Sequence, residues 1–453
     1  MRSDVRTTTT TTDVSLRARA TRRPAALALV LAPALLLGAC GSSDDSADAE
    51  PEPEAVAPPD EATGAPSAEA EAPAESGSAD ANIDTPSDGA SAPPDWDPLT
   101  VTDMEGTELS PGWVAGLGSS TATELPGAGR ELPSEVDDDT RRTDVAPAPD
   151  GGVVAWHVTG TDEDADHTMV REDEDGTIEE IPYTLEDDTD IGVAEAHLTD
   201  VGDDGTIAWL ATSSEGWRVM SLGPDAGAAV ELVSSVDGDI EEPSGLRVSD
   251  GGVVVQDGTD ALYLLLTGET PTELPATAGP GGWDVVGSTL VSAEVTDAGV
   301  EVSTVDLSSS PDGILVEDSR ATIESDAADP QAQVSAGGDH ASVDVVDGAA
   351  GDPLGTVVLS TTDGTYTGAV APGSGTVSSV VVDGALWSGL ATSDESGGAS
   401  TGGGLFAIDL ADGAVTGYDE GRGHTGLRAA GTTLLSTLGS GEDGDTRFAW
   451  SAS

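Results

Sequence analysis

The chain has no lysine. All sixteen of its basic residues are arginine, set against eighty-five Asp and Glu in 453 residues. Without a lysine amine there is no Schiff-base nucleophile, no lysine-held pyridoxal phosphate and no phosphate loop of the kind whose Lys reaches the β/γ-phosphates. A formal charge of −69 also leaves no basic stripe to neutralise phosphates, so nucleic acid is excluded as a partner. Cysteine is nearly absent as well: Cys40 stands alone. An intramolecular disulfide, a cysteine-based zinc site and a Cys–His nucleophile pair are all ruled out, whatever Cys40 itself does. No pattern in the sequence calls for a cofactor or a resident metal.

Long apolar runs are scarce too, and the one that exists is near the N-terminus. Six arginines (Arg2, Arg6, Arg17, Arg19, Arg22, Arg23) precede an uninterrupted apolar stretch from Pro24 to Leu37. Its length, roughly 21 Å as a helix, falls short of the ~30 Å hydrocarbon core of a bilayer. It fits the apolar core of a secretory signal rather than a permanent span. The stretch ends in Leu37-Gly38-Ala39-Cys40, which resembles the lipobox of bacterial lipoproteins. That resemblance implies lipidation of Cys40, cleavage between Ala39 and Cys40, and anchoring on the extracytoplasmic face of a cell membrane. Thr21-Arg22-Arg23 also resembles a twin-arginine export signal, but Pro24-Ala25-Ala26 follows, and both export routes stay open.

Residues 1–39 are thus expected to be a signal peptide and 40–97 a tether. Residues 41–95 hold fifteen Asp and Glu, no Arg and no aromatic residue, and are otherwise rich in Ala, Pro, Ser and Gly. Such a segment buries too little apolar surface to offset its ordering entropy and is expected to be disordered.

From residue 98 the composition turns to Val, Leu, Thr, Gly and Ala in short runs without helical periodicity. Twelve Asp-Gly pairs occur here, a hairpin signal because a type I′ turn needs φ > 0 at both central positions. A turn followed by a short apolar strand begins near Gly151, as Asp150-Gly151-Gly152-Val153-Val154-Ala155-Trp156. It recurs near Gly205, Gly251, Gly287, Gly338, Gly384 and Gly431, and a second strand follows each copy. Several short strands every 40–50 residues are the signature of a β-propeller blade. The expectation is an all-β domain over 98–453, a propeller of seven blades with six and eight as alternatives; two stacked sandwiches would lack the regular period. The last copy stops at Ser453 short of a full blade. Residues 112–127, whose Thr123-Glu124-Leu125-Pro126 echoes Thr272-Glu273-Leu274-Pro275, are expected to supply the missing outer strand and close the ring.

Ala148-Pro149-Asp150-Gly151-Gly152-Val153-Val154-Ala155-Trp156 resembles the Pro-Asp-Gly repeat of TolB-type and WD-like propellers. Leu405-Phe406-Ala407-Ile408-Asp409-Leu410, followed by Asp412-Gly413, is similar to repeats of quinoprotein-type propellers. Both mark hairpins and bear on fold rather than activity.

Motifs that would carry chemistry fail on context. Gly398-Ala399-Ser400-Thr401-Gly402 matches G-x-S-x-G but lies in a Gly/Ser loop between strands, not between a strand and a helix. Asp162–Asp166 and Asp173–Gly176 have the acids of calcium loops but not the spacing: His167 stands where the first needs Gly, and Arg171 where the second needs its first ligand. Solvated turns are the simpler reading. The five histidines show no metal-ligand spacing. Trp156, Trp209, Trp387 and Trp450 fall in expected strands and are read as inter-blade packing. Trp283, beside Gly279-Pro280-Gly281-Gly282, is the candidate ligand-binding residue. The expected function is a lipid-anchored binding or scaffold module at the cell surface, not an enzyme, with an extracytoplasmic protein or wall polymer as partner. The alternatives are a hydrolase or lyase acting on wall polymers, with carboxylates at the mouth of the ring, and a sensor or adaptor for a neighbouring membrane protein.

Overall fold

The computed structural model describes residues 96–451 except 118–121, 124–128, 138, 161–164, 183, 186–194, 215, 237–239, 278–281, 309–314, 328, 374–375, 383, 393–401, 419–422 and 442–443. The segments expected to be signal peptide and tether (up to residue 95, with Ala39 and Cys40), most of the G-x-S-x-G motif and the core of the first calcium candidate lie outside the described residues. Within them the chain forms seven sheets, each built on an antiparallel meander and three with an added parallel outer strand, and no helix. It is a seven-bladed β-propeller.

Each blade is a meander whose inner strand leads through a tight turn to the second strand. The inner strands are Thr140–Pro147, Glu195–Val201, Gly245–Ser249, Trp283–Val286, Pro330–Gly337, Thr376–Val382 and His424–Ala430, defining blades one to seven. All seven turns noted in the sequence are these inner-to-second-strand turns, and six of their glycines have positive φ, from 52° at Gly431 to 101° at Gly151. Asp makes such turns chemically: Asp204 Oδ1 accepts the Thr206 N–H at 2.8 Å, and Asp175 and Asp363 do the same for Thr177 and Thr365. This side-chain acceptor two residues before the amide is the Asx-turn preference.

The core is divided among the seams between blades. Seven clusters of buried apolar residues each span two neighbouring blades. Trp156 and Trp209 meet at 5.8 Å between blades one and two, and Trp387 and Trp450 at 6.2 Å between blades six and seven. The expectation that these four tryptophans pack blades together is met.

Ring closure differs from the sequence expectation. Blade seven takes its fourth strand from β5 (Arg130–Leu132), antiparallel to Gly444–Ser451. The chain before it runs as a belt around the outer rim. Strands β1 (Val101–Thr102) and β2 (Glu108–Leu109) form a hairpin on blade four, β3 (Trp113–Gly116) pairs in parallel with blade five, and β4 (Ala122–Thr123) does so with blade six. The described part of 112–127, strands β3 and β4, is therefore belt on blades five and six, not closure of blade seven. The sequence holds a second Glu-Leu-Pro, Glu131-Leu132-Pro133, and it is this later copy that completes the last blade. The belt is docked by Trp113, whose ring packs over Gly368 of blade five and whose Nε1 donates to the Leu410 carbonyl of blade six at 2.8 Å.

Candidate functional site

The inner strands of blades two to seven surround a cavity of about 540 Å³ on the propeller axis. Small residues form much of its wall, among them Gly282, Gly337, Gly426, Ser335 and Ser378, because the inner strands converge there. At Gly337 a side chain would meet the Val381 carbonyl of the next blade at 2.1 Å. The charged groups in the wall are Asp200, Asp203, Arg247, Asp250, Asp284 and Arg428.

Around this axis every blade is tied to the next by a polar side chain. Asp144 Oδ2 of blade one accepts the Thr199 N–H of blade two at 2.7 Å, and Asp200 Oδ2 accepts the Val248 N–H of blade three at 2.9 Å. Arg247 Nε donates to Asp284 of blade four at 2.8 Å, and the other oxygen of Asp284 accepts the Ala336 N–H of blade five at 2.9 Å. Asp344 Oδ2 accepts from Ser379 N–H of blade six at 2.9 Å, and Ser378 Oγ from Leu427 N–H of blade seven at 3.0 Å. Arg428 then closes the circuit. Its Nη1 donates to the Val145 carbonyl of blade one at 3.1 Å, and its Nη2 to the Thr199 carbonyl and Asp200 Oδ1 of blade two at 2.8 and 3.1 Å. Arg247 and Arg428 each meet a carboxylate that also holds a backbone amide.

Positive-φ bulges occur in three adjoining inner strands. Asp144 (φ 40°), Leu198 (φ 55°) and Gly426 (φ 55°) mark bulges in the inner strands of blades one, two and seven, each between shifted registers. The bulges face the residues that Arg428 bridges. A leucine at positive φ persists only where its surroundings over-determine it.

A second charged cluster lies at the seam of blades seven and one. Glu172 is 1% exposed. Arg142 grips it with Nε at 2.7 Å and Nη2 at 3.0 Å, His157 Nε2 lies 3.0 Å from Oε1, and Arg130 of β5 approaches Oε2 at 3.5 Å. Burial alone would raise the Glu172 pKa. Hydrogen bonds from His157 and Arg142, with the charges of Arg142 and Arg130, more than reverse this and hold it at about 2.

Trp283 does not present its ring to a ligand. It opens the inner strand of blade four, 7% exposed, with Nε1 donating to Gln256 of blade three at 2.8 Å and the Arg247 guanidinium 6.0 Å from its ring centre. The Gly/Pro run before it suggested a loop, but Gly282 turns the chain directly into the strand. Among the histidines, His157 and His424 are buried and hydrogen-bonded, His424 through Nδ1 to Ser436 at 2.8 Å. Asp173–Gly176 is a tight turn closed by the Gly176 N–H on the Asp173 carbonyl, with Arg171 bonded to Asp150 and Asp173. No metal-ligand cluster occurs among the described residues. Sequence reasoning passed over Glu172, Arg247, Asp344 and Arg428. The scarcity of bases was the available signal, because a chain with so few arginines places several of them inside.

No protein-family model matches the chain, and no curated protein matches it in sequence. Among solved structures it is similar to the β-propeller domain of the Trilobed protease from Pyrococcus furiosus, at 11% identity and a TM-score of 0.45, over 69% of this chain and 96% of that one. It is also similar to the acylaminoacyl peptidase of Pyrococcus horikoshii, at 11% identity and a TM-score of 0.43, over 68% of this chain and 50% of that one. A third is YCF48 bound to D1 peptide, at 13% identity and a TM-score of 0.37, over 82% of this chain and all of that one. The chain thus spans about half the length of the acylaminoacyl peptidase it matches.

Proposed function

We propose that this propeller is a binding or scaffold module, held by lipid on Cys40 at the extracytoplasmic face of a cell membrane. The observation that supports it is the use made of the axial charges. The Arg247–Asp284 and Arg428–Asp200 pairs are spent holding blades together, and Asp284 and Asp200 each carry a backbone amide as well. Both oxygens of each carboxylate are already engaged, one by an arginine and the other by a backbone amide of a neighbouring blade. The partner is an extracytoplasmic protein or wall polymer near the membrane. Anchoring is tested by Cys40→Ala, which should leave an uncleaved precursor or release the protein from the membrane fraction. A variant that is processed and partitions into detergent like the wild type would refute the lipid anchor. Binding is tested separately, by crosslinking membranes that carry the wild-type chain and identifying what is captured with it.

A further inference from the structure

Two of the buried carboxylates differ in their surroundings. Glu172 is surrounded by two arginines and a histidine, whereas Asp344, 6% exposed on the second strand of blade five, has no cationic partner among the described residues. Its partners are neutral: Thr356 Oγ1 at 2.6 Å and the Ser379 N–H at 2.9 Å. Burial raises its pKa, and the bonds from Thr356 and Ser379 offset that only in part. An uncompensated buried charge costs several kcal/mol. The inter-blade tie does not require it, since the equivalent tie between blades six and seven uses the neutral Ser378 hydroxyl.

Asp344 lines a pocket of about 180 Å³ between blades five and six. Ala332, Val345, Pro353, Ala371 and Pro372 supply its apolar walls, with Gln331 and Thr356 beside them and exposed Gln333 at the rim; Gln333 also lines the axial cavity. A small pocket with apolar walls and one carboxylate matches a short methylene stem that ends in an ammonium group.

We propose that the Asp344 pocket is a binding site for a primary alkylammonium group, such as a lysine side chain of a partner or a free amine. The inference builds on the binding-module reading by giving the partner's chemistry. A domain of formal charge −58, from sixty-eight acids and ten arginines in residues 96–453, draws such cations towards it over long range.

Thermal melts of the full-length protein test this with n-butylammonium chloride, against NaCl at equal ionic strength and against n-butanol. Butylammonium should raise the wild-type melting temperature saturably above both controls. Asp344→Asn removes the charge and keeps both bonds if its amide oxygen accepts from the Ser379 N–H and its NH2 donates to the Thr356 hydroxyl. It should melt higher than wild type in NaCl and show no butylammonium increment. Nα-acetyl-lysine methylamide separates the two sources: an increment equal to that of butylammonium assigns the pocket to a partner's lysine, and a smaller one assigns it to a free amine. The proposal is overturned if butylammonium does no more than NaCl, if butanol does as well, or if Asp344→Asn keeps the increment. Any of these would leave crosslinking capture of a partner unaffected, so failure of the pocket and failure of the binding module can be told apart.

Discussion

Replacing Glu172 by Gln should weaken the ring at its closing seam. The variant keeps the side-chain shape but leaves Arg142 buried without a counter-charge and takes the anion away from Arg130 of β5. The wild-type carboxyl is held at about 2 against an ordinary 4.5, and at 1.36 kcal/mol per pKa unit this corresponds to about 3 kcal/mol. The folded pKa lies below the unfolded one, so this stability is fully present above pH ~4.5 and is lost as pH falls towards ~2. A protonated Glu172 and a Gln are nearly equivalent, so the difference between wild type and variant should close over the same window. Denaturant unfolding at pH 7, 5, 4 and 3 measures it. A domain of this size should show a shift of about 4 °C in parallel melts at pH 7. A difference under about 1 kcal/mol at pH 7, or one that stays constant from pH 5 to 3, would refute the assignment of Glu172 as the charged lock of the seam.

Two further perturbations probe the belt and the charge. Gly368→Val would place a Cβ 2.2 Å from the Trp113 ring; it should expel that ring, destabilise the fold by about 2–4 kcal/mol and expose residues 96–129 to protease, and unchanged melting and cleavage would show that the belt is not held there. Raising NaCl from 0.1 to 1 M shortens the screening length from about 10 to about 3 Å, so the melting temperature should rise by several degrees; a flat or falling curve, reproduced in KCl, would show that the acids are too widely spaced to repel.

The blades were legible because their signal is local. Asp-Gly turns and apolar strands recur at a steady interval, and each of the seven turns seen in the sequence is a turn in the structure. Closure was legible only in outline. The Glu-Leu-Pro of an outer strand occurs twice within ten residues, and composition does not say which copy meets the last blade. The later copy carries Arg130, which meets Glu172 across 42 residues of separation, a contact that no local pattern announces. Trp283 was misplaced for a related reason: a Gly/Pro run marks a change of direction, not how soon the next strand begins. The axial ties were not legible at all, because each joins residues roughly 35 to 280 positions apart with no shared motif.

The seams show why the joint between the first and last blades is built differently. Tryptophan rings pack at every other seam: Trp156 and Trp209 between blades one and two, Trp217 next, then Trp283, Trp96, Trp113, and Trp387 with Trp450 between six and seven. The apolar cluster between blades seven and one holds only Leu132, Leu435, three valines and two alanines. Six seams join blades consecutive in the chain, whose approach is fixed by short connections. The seventh must bring together residues near 130 and near 450, and bulk apolar contact, being non-directional, would tolerate a wrong outer strand there. Charged, directional hydrogen bonds do not. Arg130 of β5 reaching Glu172 of blade one, and Arg428 reaching blades one and two, hold that joint by geometry, while Arg142 and His157 fix Glu172 from within blade one. The chain thus places three of its scarce arginines, Arg130, Arg142 and Arg428, where specificity is needed most, and its abundant acids at the turns that any blade can use.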